Sequence, residues 1–359
     1  MVLTFLIAFF SLIGLLILHE LGHFLLAKKF GVRVEEFGVG LPPRLFGKKI
    51  GETIYSINLL PFGAFVRLPG EMEETDDPRS FSQQSIGKRA LIILGGVVSF
   101  WLMAAIFFSV VSFLGAPSII EDDSVGNLID PKVQIAGVVS DSPAETAGLK
   151  AGDAVKEFKV QDLKFKIQKV REIQELTEKY KGQEITLIIE RGEEVFETSL
   201  IPRESPPSGE GPMGIALIRT AIKKYPWYLS PWQGILTAGN LTIGVIQGYA
   251  RAIGNVIGGV PSEVQVVGPV GVFQMLSQAQ TLGVNYFINF LGLIAIYLAV
   301  VNILPIPAFD GGKLLFLGIE AIRKKPVPIK IEQKITTVFF VVLLGLMVWV
   351  TINDISKLF

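Results

Sequence analysis

The sequence predicts a multi-pass α-helical membrane protein with about four transmembrane helices. It adds a membrane-associated β-hairpin or sheet and one inserted α+β domain. Three observations predict this. Half of the 359 residues are hydrophobic and the mean hydropathy is +0.50, too apolar for an ordinary soluble protein. Apolar runs long enough to cross a bilayer as helices recur towards both ends of the chain. Residues 131–202 change to alternating, turn-punctuated, charge-bearing sequence. The formal net charge is zero, so no basic surface points to nucleic acid as a partner. There are no cysteines, which leaves only His and carboxylates as protein ligands for a metal.

The first span covers residues 2–27 and ends at Lys28-Lys29. It lacks a basic n-region and an Ala-x-Ala cleavage site, so it reads as a retained span rather than a signal peptide. Inside it stands His19-Glu20-Leu21-Gly22-His23, and these are the chain's only two histidines. Ionisable side chains at membrane depth are costly and mark function by default. On a helix, positions i and i+4 share a face, so His19 and His23 can present two imidazoles to one ion. Glu20 is placed to take a proton from a water at that ion. His-Glu-x-x-His on a helix is the zinc metalloprotease signature. His23 lies about 7–8 Å from the basic end of the span, at 1.5 Å per residue.

The segment between the first two spans is basic, with Arg33, Arg44, Lys48, Lys49, Arg67 and Arg79 among its residues, and reads as cytoplasmic. Within it, 53–61 and 62–68 look like short strands. They form either a plain surface hairpin or a strand edge that dips to the site, which a bilayer tolerates only where protein or a cavity covers the backbone. Span two covers 90–114, and Gly95, Gly96, Ala104 and Ala105 permit close helix packing. In the inserted domain, 133–139 alternates like a strand, 170–180 is helical, and 184–190 and 194–201 are strands. Residues 202–212 are a Pro/Gly/Ser-rich linker, and Pro226-Trp-Tyr-Leu-Ser-Pro-Trp232 suits an interfacial anchor. Residues 233–260 have helical periodicity broken by Asn240, Gln247, Arg251 and Asn255. They read as an amphipathic helix on the membrane, with a fifth span as the alternative. Span three covers 286–304 and is broken by Pro305 and Pro307; span four covers 335–352.

A catalytic zinc takes three protein ligands and one open position, so a carboxylate must be the third ligand here. Asp310 stands at the edge of an apolar span, where acids are rare. If 233–260 lies on the membrane, spans one and three both run towards the basic face, and His19, His23 and Asp310 reach one depth. The other readings of Asp310 are a helix-end cap or a salt-bridge partner for Lys313. The resulting division is a membrane core of 1–115 with its β region at 30–88, an inserted domain of 116–203, linker and helix over 204–262, and a second core part over 263–359.

Several motifs carry a resemblance. They are His19-Glu-Leu-Gly-His23, Leu59-Leu-Pro-Phe-Gly-Ala-Phe-Val-Arg-Leu-Pro-Gly-Glu71, Ser142-Pro-Ala…Ala147-Gly-Leu-Lys-Ala-Gly-Asp153, Gly268-Pro-Val-Gly271, Asn302-Ile-Leu-Pro-Ile-Pro…Asp310-Gly-Gly312 and Asn353-Asp354. The stretch from Ser142 resembles bacterial PDZ domains, which bind extended peptides at a sheet edge. Over nearly its whole length the chain resembles the site-2 proteases of the bacterial regulator-of-sigma-E-protease type. That resemblance implies an intramembrane zinc endopeptidase with His19, His23 and Asp310 on Zn2+ and Glu20 as general base. Asn302 would hold substrate backbone beside the cleft, and the strands near 54–68 would pair with the unwound substrate. The implied substrates are single-span membrane proteins already cut by another protease, such as anti-sigma factors or remnant signal peptides. The implied location is the bacterial inner membrane, with the active site near the cytoplasm and the PDZ-like domain outside it, restricting access by size. Phe309 stands where the family usually has Leu, Lys313 where it often has His, and Gly96-Val97…Ser99 where it has Gly-Pro…Asn. The alternatives from other classes are a catalytically silent PDZ-bearing membrane scaffold and a metal transporter. The transporter predicts further polar residues along spans two and four, and those spans carry almost none.

Overall fold

A computed structural model describes residues 2–124, 128–192, 194–207, 209–259 and 268–356. The chain forms two compact units, Val111–Ser230 and a discontinuous one of Met1–Val110 with Pro231–Phe359. The discontinuous unit opens with α1 (Val2–Lys29), β1 (Glu36–Ile50), β2 (Thr53–Arg67) and α2 (Ile86–Leu114). The inserted unit holds β3 (Ala116–Ile120), β4 (Leu128–Val138), α3 (Pro143–Thr146), β5 (Ala154–Val160) and β6 (Leu163–Lys166). It continues with α4 (Val170–Lys179), β7 (Ile185–Arg191), β8 (Glu194–Leu200) and β9 (Ile215–Lys223). The chain then returns through α5 (Ser230–Ile257), α6 (Pro269–Thr281), α7 (Val284–Ile303), α8 (Asp310–Arg323) and α9 (Ile329–Ser356).

Among the described residues, α1, α2, α7 and α9 are long and apolar enough to cross a membrane. Helices are the form in which a lipid-facing chain satisfies its own backbone. The expected second and fourth spans start a few residues late: the helices take in Ile86 and Ile329 as well. Helix α7 stops at Ile303 because Leu304 precedes Pro305 and is held extended, at φ −61° and ψ 142°. Helices α1, α2, α5, α6 and α7 share one core, built on Leu15, Phe100, Ala238, Leu276, Leu291 and Ile296. Helix α5 gives that core Ala238 and Val245 and turns Ile253 and Ile257 outward. The expected end of this helix at Val260, and the boundary at 262–263, lie outside the described residues. Asp354 near the end of α9 accepts a hydrogen bond from the Gly271 N–H (2.9 Å) in the first turn of α6.

The two short strands expected at 53–61 and 62–68 are one run, β2, paired with β1. Residues Glu36–Val39 of β1 are flanked on one side by Ile54–Ile57 and on the other by Ala64–Arg67, while Arg44–Ile50 pair with Thr53–Asn58. The two strands thus curl on themselves. Buried Glu36 ties the curl, accepting bonds from Arg44 Nε (3.0 Å) and Nη2 (2.6 Å) and from Ser56 Oγ (2.6 Å). Leu45, Phe46, Ile57 and Leu59 are left exposed.

The inserted unit is a seven-stranded sheet of order β3-β9-β4-β5-β7-β8, with β6 paired to β5. Its core holds Val133, Ile135, Phe158, Ile173, Ile185, Leu187 and Ile189. The sequence reading ended this domain at 203, yet β9 lies between β3 and β4 and the unit runs to Ser230. The most buried positions of β9 are Arg219 and Ala221 rather than large apolar residues, so its alternation is muted. Arg219 Nη1 donates to the carbonyls of Glu121 (3.2 Å) and Asp122 (2.9 Å).

Candidate metal centre

Helix α1 presents His19 and His23 one turn apart on the face it packs against α2. That packing is close because glycines line it. A Cβ on Gly22 would strike the Gly95 carbonyl oxygen and Ser99 Oγ, and one on Gly96 would strike both imidazoles. The His19 ring stacks on Phe100, with centroids 4.5 Å apart and planes at 20°. His23 Nδ1 lies 2.9 Å from the Ile92 carbonyl oxygen. A carbonyl only accepts, so Nδ1 carries the hydrogen and Nε2 of the neutral ring keeps its lone pair.

Asp310 arrives from the other end of the chain. After α7 breaks at Pro305, a tight connection through Pro307 and Phe309 restarts the chain as α8, with Asp310 as its first residue. Gly311 and Gly312 make the connection possible, since a Cβ on either would collide with the backbone of residues 303–307. Lys313, the alternative partner for Asp310, instead donates to Glu71.

His19 Nε2, His23 Nε2 and Asp310 Oδ2 form a nearly equilateral triangle. The two nitrogens are 3.2 Å apart, and the oxygen lies 3.4 Å from the first and 3.3 Å from the second. Asp310 Oδ2 is buried and has no hydrogen-bond partner. With the His19 proton on Nδ1, the three are acceptor atoms facing one another in a buried place, an arrangement that suits a cation between them. Ligand bonds of about 2.0–2.1 Å at tetrahedral angles give ligand–ligand edges of about 3.3–3.4 Å. The triangle therefore has the size of one face of a zinc tetrahedron, and among the described residues these three are the group able to hold a metal.

Beside the triangle is a cavity of about 250 Å³ lined by Glu20, His23, Phe65, Leu68, Asp310 and Lys313 among others. The expected general base thus shares a wall with two expected ligands, and the end of β2 reaches the same cavity. Asn302 is placed differently. Its side-chain N–H donates to the Leu298 carbonyl one turn back on α7 (2.8 Å), and it is not among the residues lining this cavity. Sequence reasoning missed the Phe100 stack and the Ile92 carbonyl, neither of which has a sequence signal. It took Gly96 only for a packing residue.

The model of peptidase family M50 matches residues 7–346. The chain belongs to peptidase family M50, the site-2 proteases. A Clostridium perfringens protein whose name carries the words zinc metalloprotease is 35% identical over 346 residues, covering 95% of each chain. A similarly named Nostoc protein is 31% identical over 355 residues, 96% of this chain and 93% of its own. The zinc metalloprotease RasP of Shouchella clausii is 28% identical over 438 residues, 99% of each chain. This membership makes the protein a zinc metalloprotease of the regulator-of-sigma-E-protease type, with Zn2+ as its metal. Its several apolar helices make it a multi-pass membrane protein.

Proposed function

We propose that this site-2 protease cuts the transmembrane segments of single-span membrane proteins, of the anti-sigma-factor or remnant-signal-peptide type, after another protease has shortened them. The observation that carries the reading is the 3.2–3.4 Å triangle of His19, His23 and Asp310 within a bundle of membrane-length helices. These three hold the zinc. Zinc, when bound, supplies Lewis acidity to the scissile carbonyl and to the attacking water. Glu20 takes the water's proton on a carboxylate oxygen and hands it to the leaving amine. The His23 Nδ1–H bond to Ile92 fixes the ring and its tautomer, as the outer partners of metal-binding histidines do.

A helical peptide bond in lipid is shielded by its own hydrogen bonds and must be unwound before attack. The end of β2, which lines the cavity, supports strand pairing with the loosened segment. Asn302 holds substrate backbone beside the cleft, after its amide turns from Leu298. The inserted unit acts as a PDZ-like filter on substrate size outside the cytoplasm of a bacterial inner membrane. Its motif from Ser142 supports this: Ser142 Oγ accepts from the Glu145 N–H, and buried Asp153 accepts from the Lys150 N–H. Basic residues at 28–89 and 313–334 support a cytoplasmic position for the metal centre.

The test is cleavage of a single-span model substrate by wild type and by Glu20→Gln, with zinc measured in both. Wild type should cut, and the variant should keep zinc and not cut. Equal cutting by both would overturn the role of Glu20. No cutting by zinc-loaded wild type on a panel of such substrates would favour the scaffold.

A further inference from the structure

The proposed chemistry leaves Lys313 without a role. It stands three residues after Asp310 on α8, so the two side chains leave the same face. Its ammonium donates to Glu71, whose side chain is only 15% exposed. Among the described residues Glu71 is its hydrogen-bond partner, and an ammonium has three N–H groups to give. Lys313 and Glu71 line the cavity that also holds Glu20, His23 and Asp310. Both line a second cavity of about 490 Å³ as well, so the pair stands where the two meet. An ammonium is thus held by a single carboxylate in the wall of the reaction cavity.

We propose that Lys313 offsets the negative charge that grows on the scissile carbonyl oxygen, with Glu71 as the positioning residue that aims it. This rests on the protease reading above. When the water oxygen bonds to the carbonyl carbon, the π pair moves onto the carbonyl oxygen, and an ammonium N–H meets that charge. On collapse the pair returns to the C–O bond. The C–N pair leaves with the amine, which takes the proton held by Glu20. A donor fixed in advance on such an oxygen stabilises it without having to reorganise as the charge appears. The competing account makes the ion pair a strut joining the segment at Glu71 to α8.

The experiment uses the full, zinc-loaded chain in detergent. It compares the affinities of two peptide analogues of a model-substrate span. One is a phosphinate, tetrahedral and anionic at the scissile position; the other is a ketomethylene, trigonal and neutral. Wild type should favour the phosphinate. Lys313→Met should weaken the phosphinate by about 10²-fold, leave the ketomethylene unchanged, and lower kcat far more than it raises KM. Lys313→Arg should keep the preference, and Glu71→Gln should lose part of it, since the cation remains but is no longer held. The proposal is overturned if Lys313→Met weakens both analogues alike, as a strut predicts, or if it keeps the phosphinate preference. Zinc-loaded, cutting wild type with either of those results overturns this role alone. Wild type that binds no zinc and prefers neither analogue overturns the protease reading along with it.

Discussion

Gly96→Ala is the smallest change aimed at the metal centre that leaves every proposed ligand in place. A Cβ at this position would press on His23 Nε2 and on Cε1 of both imidazoles, well inside van der Waals contact. Relief needs a movement of about an ångström. The His23 ring resists it because Nδ1 is fixed to the Ile92 carbonyl (2.9 Å), and the His19 ring because it stacks on Phe100. Helix α1 resists it through Gly22, which abuts Gly95. Overpacking of this kind costs about 1–3 kcal/mol. Disturbing the partners that orient metal ligands lowers affinity by about 10–100-fold. Zinc affinity, read by competition with a chelator of known strength, should fall by that factor in the purified variant. Gly14→Ala is the control, because it is also in a membrane helix and a Cβ there meets nothing within 4 Å. Wild-type zinc affinity in Gly96→Ala, or an equal loss in Gly14→Ala, would refute the argument that this glycine makes room for the ligands.

Further outcomes follow from other contacts. Glu20→Gln should lower kcat by about 10²–10⁴-fold, as loss of a general base does, with zinc content at the wild-type level by metal analysis. Arg191→Ala should destabilise the inserted sheet by about 1–3 kcal/mol, since it strips one partner from a buried carboxylate that keeps the Lys150 N–H. Asp153 is 1% exposed and accepts from Arg191 Nε (2.6 Å) and Nη2 (2.7 Å); hydrogen exchange in β5 and β7 would read the loss. Asp122 accepts from the Val170 N–H (3.0 Å) and Arg171 N–H (2.9 Å) at the start of α4. Burial pulls its pKa up, but those two bonds and the charges of Arg219 and Arg171 together outweigh it and hold the carboxyl below its ordinary value. A depressed carboxylate stabilises the fold above its unfolded pKa and loses that contribution as pH falls through the folded one. Asp122→Ala should therefore speed exchange in α4 at pH 7, by about 1 kcal/mol of capping, and the gap from wild type should close below about pH 4.

The helices were legible because lipid removes the alternatives. A run of twenty apolar residues in a bilayer has to be a helix, whatever it packs against. Asp310 was legible for the same reason, as an acid at a broken span with no histidine left to compete. Strand β9 was not, because its sheet partners β3 and β4 are remote in sequence and its most buried positions are Arg219 and Ala221. The curl of β1 and β2 was half legible. The β-character of 53–68 showed, but the doubled pairing of Glu36–Val39 depends on Glu36, Arg44 and Ser56 meeting in space. At the site, the two histidines announced themselves by spacing. Lys313 showed as a departure from the family pattern and as a possible partner for Asp310, and its pairing with Glu71 needed the fold.

Without a cation, the proposed metal centre leaves a buried carboxylate poorly satisfied. Packing against α2 fixes His19 and His23, and the Gly311-Gly312 turn fixes Asp310, so none of the three can retreat into solvent without loosening helix contacts. The carboxylate oxygen is buried with no hydrogen-bond partner, and the atoms facing it are the Nε2 atoms of the two imidazoles. A proton carried on a ring nitrogen within the triangle relieves part of this, and a metal ion relieves all of it. A proton satisfies one edge of the triangle, whereas a tetrahedral ion satisfies all three corners at once. Metal binding should therefore stabilise the helical unit strongly, because the unfolded chain offers no assembled site. At a free zinc concentration a thousand times the dissociation constant the gain is about 4 kcal/mol. Chelation should lower the thermal midpoint of the wild type. Asp310→Asn should show a smaller drop on chelation yet a higher metal-free midpoint, because an amide removes the unpaired charge and can donate to an imidazole nitrogen. A metal-free Asp310→Asn no more stable than metal-free wild type would mean that the triangle is not strained, and that the helices set its geometry without cost.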